Sequence, residues 1–156
     1  MIHEEVSAFA NAIQPEHSLI GLDLGTKTIG VAVSDTILSV ATPIKTIKRM
    51  VSIDAELLLG VISNKSCCGV IIGLPKNMDG SEGPRAQSTR AFARNFSVKT
   101  NLPITFWDER LSTVAAEKAL LEADTTRKRR AEVIDHVAAA YILQGFLDRL
   151  RVLQKC

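Results

Sequence analysis

The stretch Cys68-Gly69-Val70-Ile71-Ile72-Gly73-Leu74 offers water almost no polar side chain. A β-strand sends successive side chains to opposite faces, so a run this uniformly apolar predicts a strand covered on both sides. That requirement argues against a sheet with one wet face and for a layered α/β arrangement. The flanking sequence supplies the layers. Leu19-Ile20-Gly21-Leu22-Asp23 and Ile29 to Ser34 are extended runs joined by Gly25-Thr26-Lys27-Thr28, which predicts a β-hairpin. A third extended stretch is expected around Ile37 to Thr42, before Pro43. Ile53, Leu57, Leu58, Val61 and Ile62 recur at helical spacing and predict a helix over 51–64. Pro75 to Gly83 is dense in turn formers and reads as a loop. Pro84 suits the first turn of a helix that runs to about Val98. Ile104 to Trp107 predicts another strand, and a helix capped by Ser112 or Thr113 follows to about Leu121. A last helix is expected from about Arg130 to Leu153. The expected fold is therefore α/β, with a mixed five-stranded sheet (three antiparallel strands, then parallel strands) flanked by helices.

A chain of 156 residues with 46% hydrophobic content can bury a real core. Residues 1–17 read as an N-terminal appendage. Val6, Phe9, Ala10 and Ile13 give it a short amphipathic helix that Pro15 ends, and residues 18–156 form the main domain. Cys67 and Cys68 are adjacent and Cys156 is terminal, an odd count with no zinc-like spacing. Free thiols fit a reducing compartment. With no signal segment and no apolar run long enough to span a bilayer, a cytoplasmic setting without membrane contact is expected.

The net charge of +2 says little about partners, but Arg127, Lys128, Arg129 and Arg130 form one dense block. Such a block is either a solvated helix end or a phosphate-binding patch.

Three acids stand where acids are awkward. Asp23 ends an apolar strand, where a turn-forming role competes with a functional one. Glu109, in Trp107-Asp108-Glu109-Arg110, follows a strand at the end where α/β sheets place their ligands. It would equally suit a helix start. Asp135 shares its helical face with Ala138, Ala139, Ile142 and Phe146, so an acid lies on an apolar stripe. A buried carboxylate needs a partner, a proton or a metal. A strand acid, a post-strand acid and a helix acid can converge on Mg²⁺ or Mn²⁺, hard cations that prefer oxygen donors. His17 and His136 read as structural.

Four blocks carry a resemblance. Asp23-Leu-Gly-Thr-Lys-Thr-Ile-Gly-Val-Ala-Val-Ser-Asp35, Gly73-Leu-Pro-Lys-Asn-Met-Asp-Gly80, Asp108-Glu-Arg-Leu-Ser-Thr113 and Asp135-His-Val-Ala-Ala-Ala-Tyr-Ile-Leu-Gln144 together resemble the YqgF/RuvX family. Its members are described as Holliday junction resolvases and as pre-16S rRNA nucleases. The resemblance covers about residues 18–150; Ser112 stands where the family usually has Thr. It implies an RNase H-like nuclease domain over 18–156, with metal-binding and catalytic roles for Asp23, Glu109 and Asp135. It also implies maturation of the 5′ end of 16S rRNA, with branched DNA as the alternative substrate. Lys27, Lys76, Asn77, Arg85 and Arg110, with Arg127, Lys128, Arg129 and Arg130, are the expected nucleic-acid contacts. A monomer suits RNA trimming and a homodimer suits a two-fold junction. A sugar-kinase or actin-like ATPase also begins with an Asp-Leu-Gly-Thr block, but it needs a second domain that this chain is too short to supply. A non-catalytic nucleic-acid-binding regulator is the other rival.

Overall fold

The computed structural model describes residues 1–50, 53–111 and 127–154, with side chains of the last segment from His136 onward. In chain order the elements are β1 (Ile2–His3), α1 (Val6–Ala12), β2 (Ser18–Leu24), β3 (Thr28–Ser34) and β4 (Ala41–Lys48). Then come α2 (Asp54–Lys65), β5 (Cys67–Leu74), α3 (Pro84–Ser97), β6 (Ile104–Asp108), a single 3₁₀ turn at Glu109–Leu111, and α4 (Arg127–Gln154). The sheet has six strands in the order β1-β6-β5-β2-β3-β4. β2, β5, β6 and β1 run parallel, while β3 is antiparallel to both β2 and β4.

Two sequence expectations need correction. The sheet has six strands where five were expected, because Ile2 and His3 pair parallel with Ile104 and Thr105. Two residues are too few to show a period of two, so no sequence pattern announces them. The third strand also lies later than 37–42, at Ala41–Lys48. The Asp35 carboxylate accepts from the backbone N–H of Ser39 and Val40 (2.7 and 3.2 Å), which folds this stretch into a turn with Leu38 at φ 57°. Pro43 then sits inside β4, which the sheet tolerates because β4 is an edge strand. The helix expected from Ser112 or Thr113 to Leu121 lies outside the described residues.

Alternation sorts the strands onto two cores. Ile20, Leu22, Leu24, Ile29, Val31, Val33, Val70, Ile72 and Ile104 face α2 and α3. Leu19, Ala32, Ile71 and Trp107 face the other way, with Phe9 of α1 and the α4 residues Ala138, Ala139, Ile142, Leu143 and Phe146. β5 is buried along its whole length, as its apolar run requires. Phe9 is fully buried and meets Phe146 edge-to-face at 5.4 Å, so α1 belongs to the α4 layer.

The α4 face of the sheet is made of small residues. A Cβ on Gly21 would sit 2.7 Å from Leu143 Cβ and 3.1 Å from the Ala139 carbonyl oxygen. The alanines of α4 answer these glycines, and helix and sheet approach almost backbone to backbone. On the other face, Arg90 of α3 pairs with Glu4 and Glu82 and lies 4.8 Å over the Phe106 ring. It therefore joins the N-terminal segment, the end of the 75–83 loop and β6.

Cys67 and Cys68 are free and buried. Burial pushes the Cys67 thiol up to about 12 from an ordinary 9.0, with Cys68 adding to the rise and Lys65 opposing it. The neutral thiol should resist iodoacetamide at pH 8 until the chain unfolds. Because the folded state prefers the protonated thiol, its contribution to stability is complete below pH 9. It is lost as the pH rises from about 9 to about 12. Urea midpoints of wild type and Cys67→Ala should converge across that window; a constant difference would show that the thiol does not titrate so.

Candidate active site

The three parallel strands β2, β5 and β6 end at one edge, and the predicted acids are distributed around it. Asp23 lies within β2, opposite Gly30 of β3, and is only 3% exposed. It shares the α4 face with Gly21, two residues earlier. Leu22 pairs with Ile72, so Asp23 stands level with Gly73, and Gly73 pairs in turn with Trp107. Glu109 begins the 3₁₀ turn just beyond β6 and is half-buried.

Gly73 leaves room for the Glu109 carboxylate. A Cβ on it would fall 2.8 Å from Glu109 Oε1 and would collide with Ile142 Cδ1. The Glu109 carboxylate therefore lies over the Gly73 backbone, on the α4 face, one strand from Asp23. Sequence reasoning quoted Gly73 within a motif but gave it no spatial role; its signal is a glycine inside an otherwise bulky buried strand.

The neighbouring acid is committed elsewhere. The Asp108 carboxylate accepts from Arg110 Nη2 (2.8 Å), Nε and the Arg110 backbone N–H. The guanidinium holds it below the usual carboxylate range, chiefly through these hydrogen bonds. Arg110 Nη1 also donates to the Met78 carbonyl (3.3 Å), and Gly80 at φ 89° packs against the same guanidinium. Arg110 thus ties the 75–83 loop to the end of β6.

Helix α4 crosses this edge. The predicted stripe is real: Ala138, Ala139, Ile142 and Phe146 are all fully buried. Thr46 pairs with Gly30, and Gly30 with Asp23, so these three form one rung. His136 Nδ1 lies 3.0 Å from Thr46 Oγ1, which puts the helix at the level of that rung. Asp135 precedes His136 in α4; its side chain lies outside the described residues, as do those of Arg127, Lys128, Arg129 and Arg130. Among the described residues no group of three or more His, Cys, Asp or Glu is arranged to hold a metal.

The remaining predicted contacts divide. Lys27, in the β2–β3 turn, and Arg85, in the first turn of α3, are exposed, while Lys76 is half-buried at the start of the loop. Asn77 closes the loop on itself, donating through Nδ2 to Ser81 Oγ at 3.0 Å. Arg49 was not anticipated. It lies just beyond β4, donates to the Gly25 carbonyl (2.7 Å), and so braces the turn that follows Asp23.

A family model described as "RuvX: Holliday junction resolvase" matches residues 17–149. A protein from Ruegeria pomeroyi named "Putative pre-16S rRNA nuclease" is 68% identical over 154 residues, covering 98% of this chain and all of its own length. A protein of the same name from Paracoccus denitrificans is 65% identical over 154 residues, covering 98% of both chains. Among solved structures, "T. thermophilus RuvC in complex with Holliday junction substrate" superposes with a TM-score of 0.53. It shares 12% identity over 86% of this chain and 96% of that one, a likeness of fold alone. Among the described residues no helix is long and apolar enough to cross a membrane. The chain belongs to the RuvX (YqgF) family, a nuclease family, and has the RNase H-like fold.

Proposed function

We propose that the chain is a divalent-metal-dependent hydrolase that cleaves phosphodiesters of precursor 16S rRNA at the 5′ end, in the cytoplasm. Asp23, Glu109 and Asp135 are its catalytic carboxylates. The observation that carries this reading is the space above Gly73, where a buried strand gives up its side chain and the Glu109 carboxylate lies over it. Asp23 faces the same layer, almost wholly removed from solvent.

The donors suit Mg²⁺ or Mn²⁺, because carboxylate oxygens are what hard cations bind and the one nearby imidazole is turned to Thr46. A bound divalent ion would supply positive charge to the phosphate and lower the pKa of an attacking water. The chain's own residues do the rest. Asp23 and Glu109 would hold the cation at the sheet edge, and α4 shields Asp23 from bulk water. Arg110 neutralises Asp108, so that one acid fewer repels the incoming backbone. Lys27, Lys76, Arg85 and the Arg127–Arg130 block contact phosphates, while Asn77 and Arg110 hold the loop beside them.

The preference for precursor rRNA rests on the names of the relatives. Junction DNA is the second reading, favoured by the family description, and a two-fold dimer would serve it. The test incubates the protein with precursor 16S rRNA and with a four-way DNA junction, in Mg²⁺, Mn²⁺ or EDTA. Cleavage of the rRNA in either metal and none in EDTA is expected. Cleavage of neither substrate under any condition would leave a binding protein without catalysis.

A further inference from the structure

One side of α3 carries polar and charged side chains around a single aromatic ring. Arg85, Ser88, Phe92, Asn95 and Lys99 recur at three- and four-residue steps, so they form one stripe from the start of the helix to just past its end. Two cavities lie along it, about 180 Å³ beside Gly25 and Arg85 and about 220 Å³ beside Phe92 and Lys99. Both are lined by Arg49 and Ser88, so they are two parts of one groove. It begins at the turn immediately after Asp23 and runs over the end of the sheet onto the α2–α3 face. The stripe spans about 21 Å at 1.5 Å per residue.

The chemistry of the groove is uniform. Arg49, Arg85 and Lys99 are its cations, and none makes an ion pair among the described residues, whereas Arg90 and Arg110 do. The one acid on its wall, Asp54, is buried, with its carboxylate accepting from the Ala55 backbone N–H. Between the cations stands an aromatic platform. Phe92 is half-buried, its ring stacks on Phe96 at 5.9 Å and 7°, and the Arg49 guanidinium lies 5.8 Å from its centroid. Asn95, one turn further along, has both a donor and an acceptor to offer a base edge.

Cations that track a backbone beside a half-buried ring suit a single strand, whereas a duplex, with its bases already stacked, can use only the cations. We propose that this groove holds an unpaired stretch of nucleic acid next to the cleaved phosphodiester, with one base on Phe92 and phosphates at Arg85, Arg49 and Lys99. This deepens the nuclease reading and rests on it for the position of the cut. It makes a single-stranded flank, and not a fully paired junction arm, the preferred substrate element.

The test measures fluorescence anisotropy of a labelled single-stranded RNA and of a blunt RNA duplex with the full chain, in EDTA so that nothing is cut. The single strand should bind more tightly. Phe92→Leu should weaken it about tenfold. Lys99→Gln, at an exposed site that cannot unfold the protein, should lower the salt slope by about 0.7. Duplex binding should change little with Phe92→Leu. Single-strand binding unaltered in both variants, or a duplex held equally well, would overturn the proposal. The two readings fail separately. A protein that binds through this groove yet cleaves nothing loses the nuclease reading alone. One that cleaves precursor rRNA while both variants bind like wild type loses the groove alone.

Discussion

Asp23→Asn should abolish cleavage of precursor rRNA while leaving the fold intact. The substitution keeps the side chain's size and removes its charge at a position only 3% exposed, so packing against α4 is preserved. Loss of the anionic oxygen that fixes the cation removes several kcal/mol of transition-state stabilisation, a fall of about 10²- to 10³-fold or more. The fold itself should survive, because the amide is isosteric with the carboxyl and fills the same space against α4. Thermal unfolding beside single-turnover cleavage, for Asp23→Asn, Glu109→Gln and Asp135→Asn, checks both halves. Cleavage at the wild-type rate in the Asp23 variant would remove that residue from the mechanism.

The second large effect comes from a single methyl group. Gly21→Ala and Gly73→Ala both push a Cβ into α4, the first against Leu143 and the second against Ile142. Overpacking of this kind costs about 1–3 kcal/mol, and urea midpoints should fall for both variants. Only the Gly73 methyl also meets the Glu109 carboxylate. Displacing a catalytic group by about 1 Å costs about 10²-fold in rate, so Gly73→Ala should lose activity far beyond its loss of stability. Gly21→Ala should cleave near the wild-type rate at temperatures where it is folded. Equal activity losses in the two would mean that α4 as a whole has moved, and that Gly73 has no particular tie to Glu109.

These two glycines also show what was legible in advance. The layered fold followed from the uniform hydrophobicity of β5 and from the alternation along β2 and β3, since burial on one or both faces writes itself into side-chain type. The small-residue stripe of α4 was readable for the same reason. β1 was not, because two residues held by backbone hydrogen bonds at an edge leave no pattern. The position of β4 was missed because the Asp35 carboxylate, a local side-chain contact, holds Ser39 and Val40 in a turn that the apolar character of Ile37, Leu38 and Val40 does not announce. At the site, Asp23 and Glu109 were visible as misplaced acids, but their nearness depends on the register between β2, β5 and β6. Arg49 was hidden for the same cause, being brought to Gly25 by strand pairing from 24 residues away.

The 75–83 loop has a kinetic consequence. Arg110 holds it at Met78, Arg90 holds it at Glu82, and Asn77 and Asp79 close it on Ser81. A segment fastened at its middle and far end and closed on itself between them is a wall and not a flap. Substrate then reaches the site without waiting for this loop to lift. Its capture should show no slow phase that variants loosening the loop, such as Arg110→Gln, would alter.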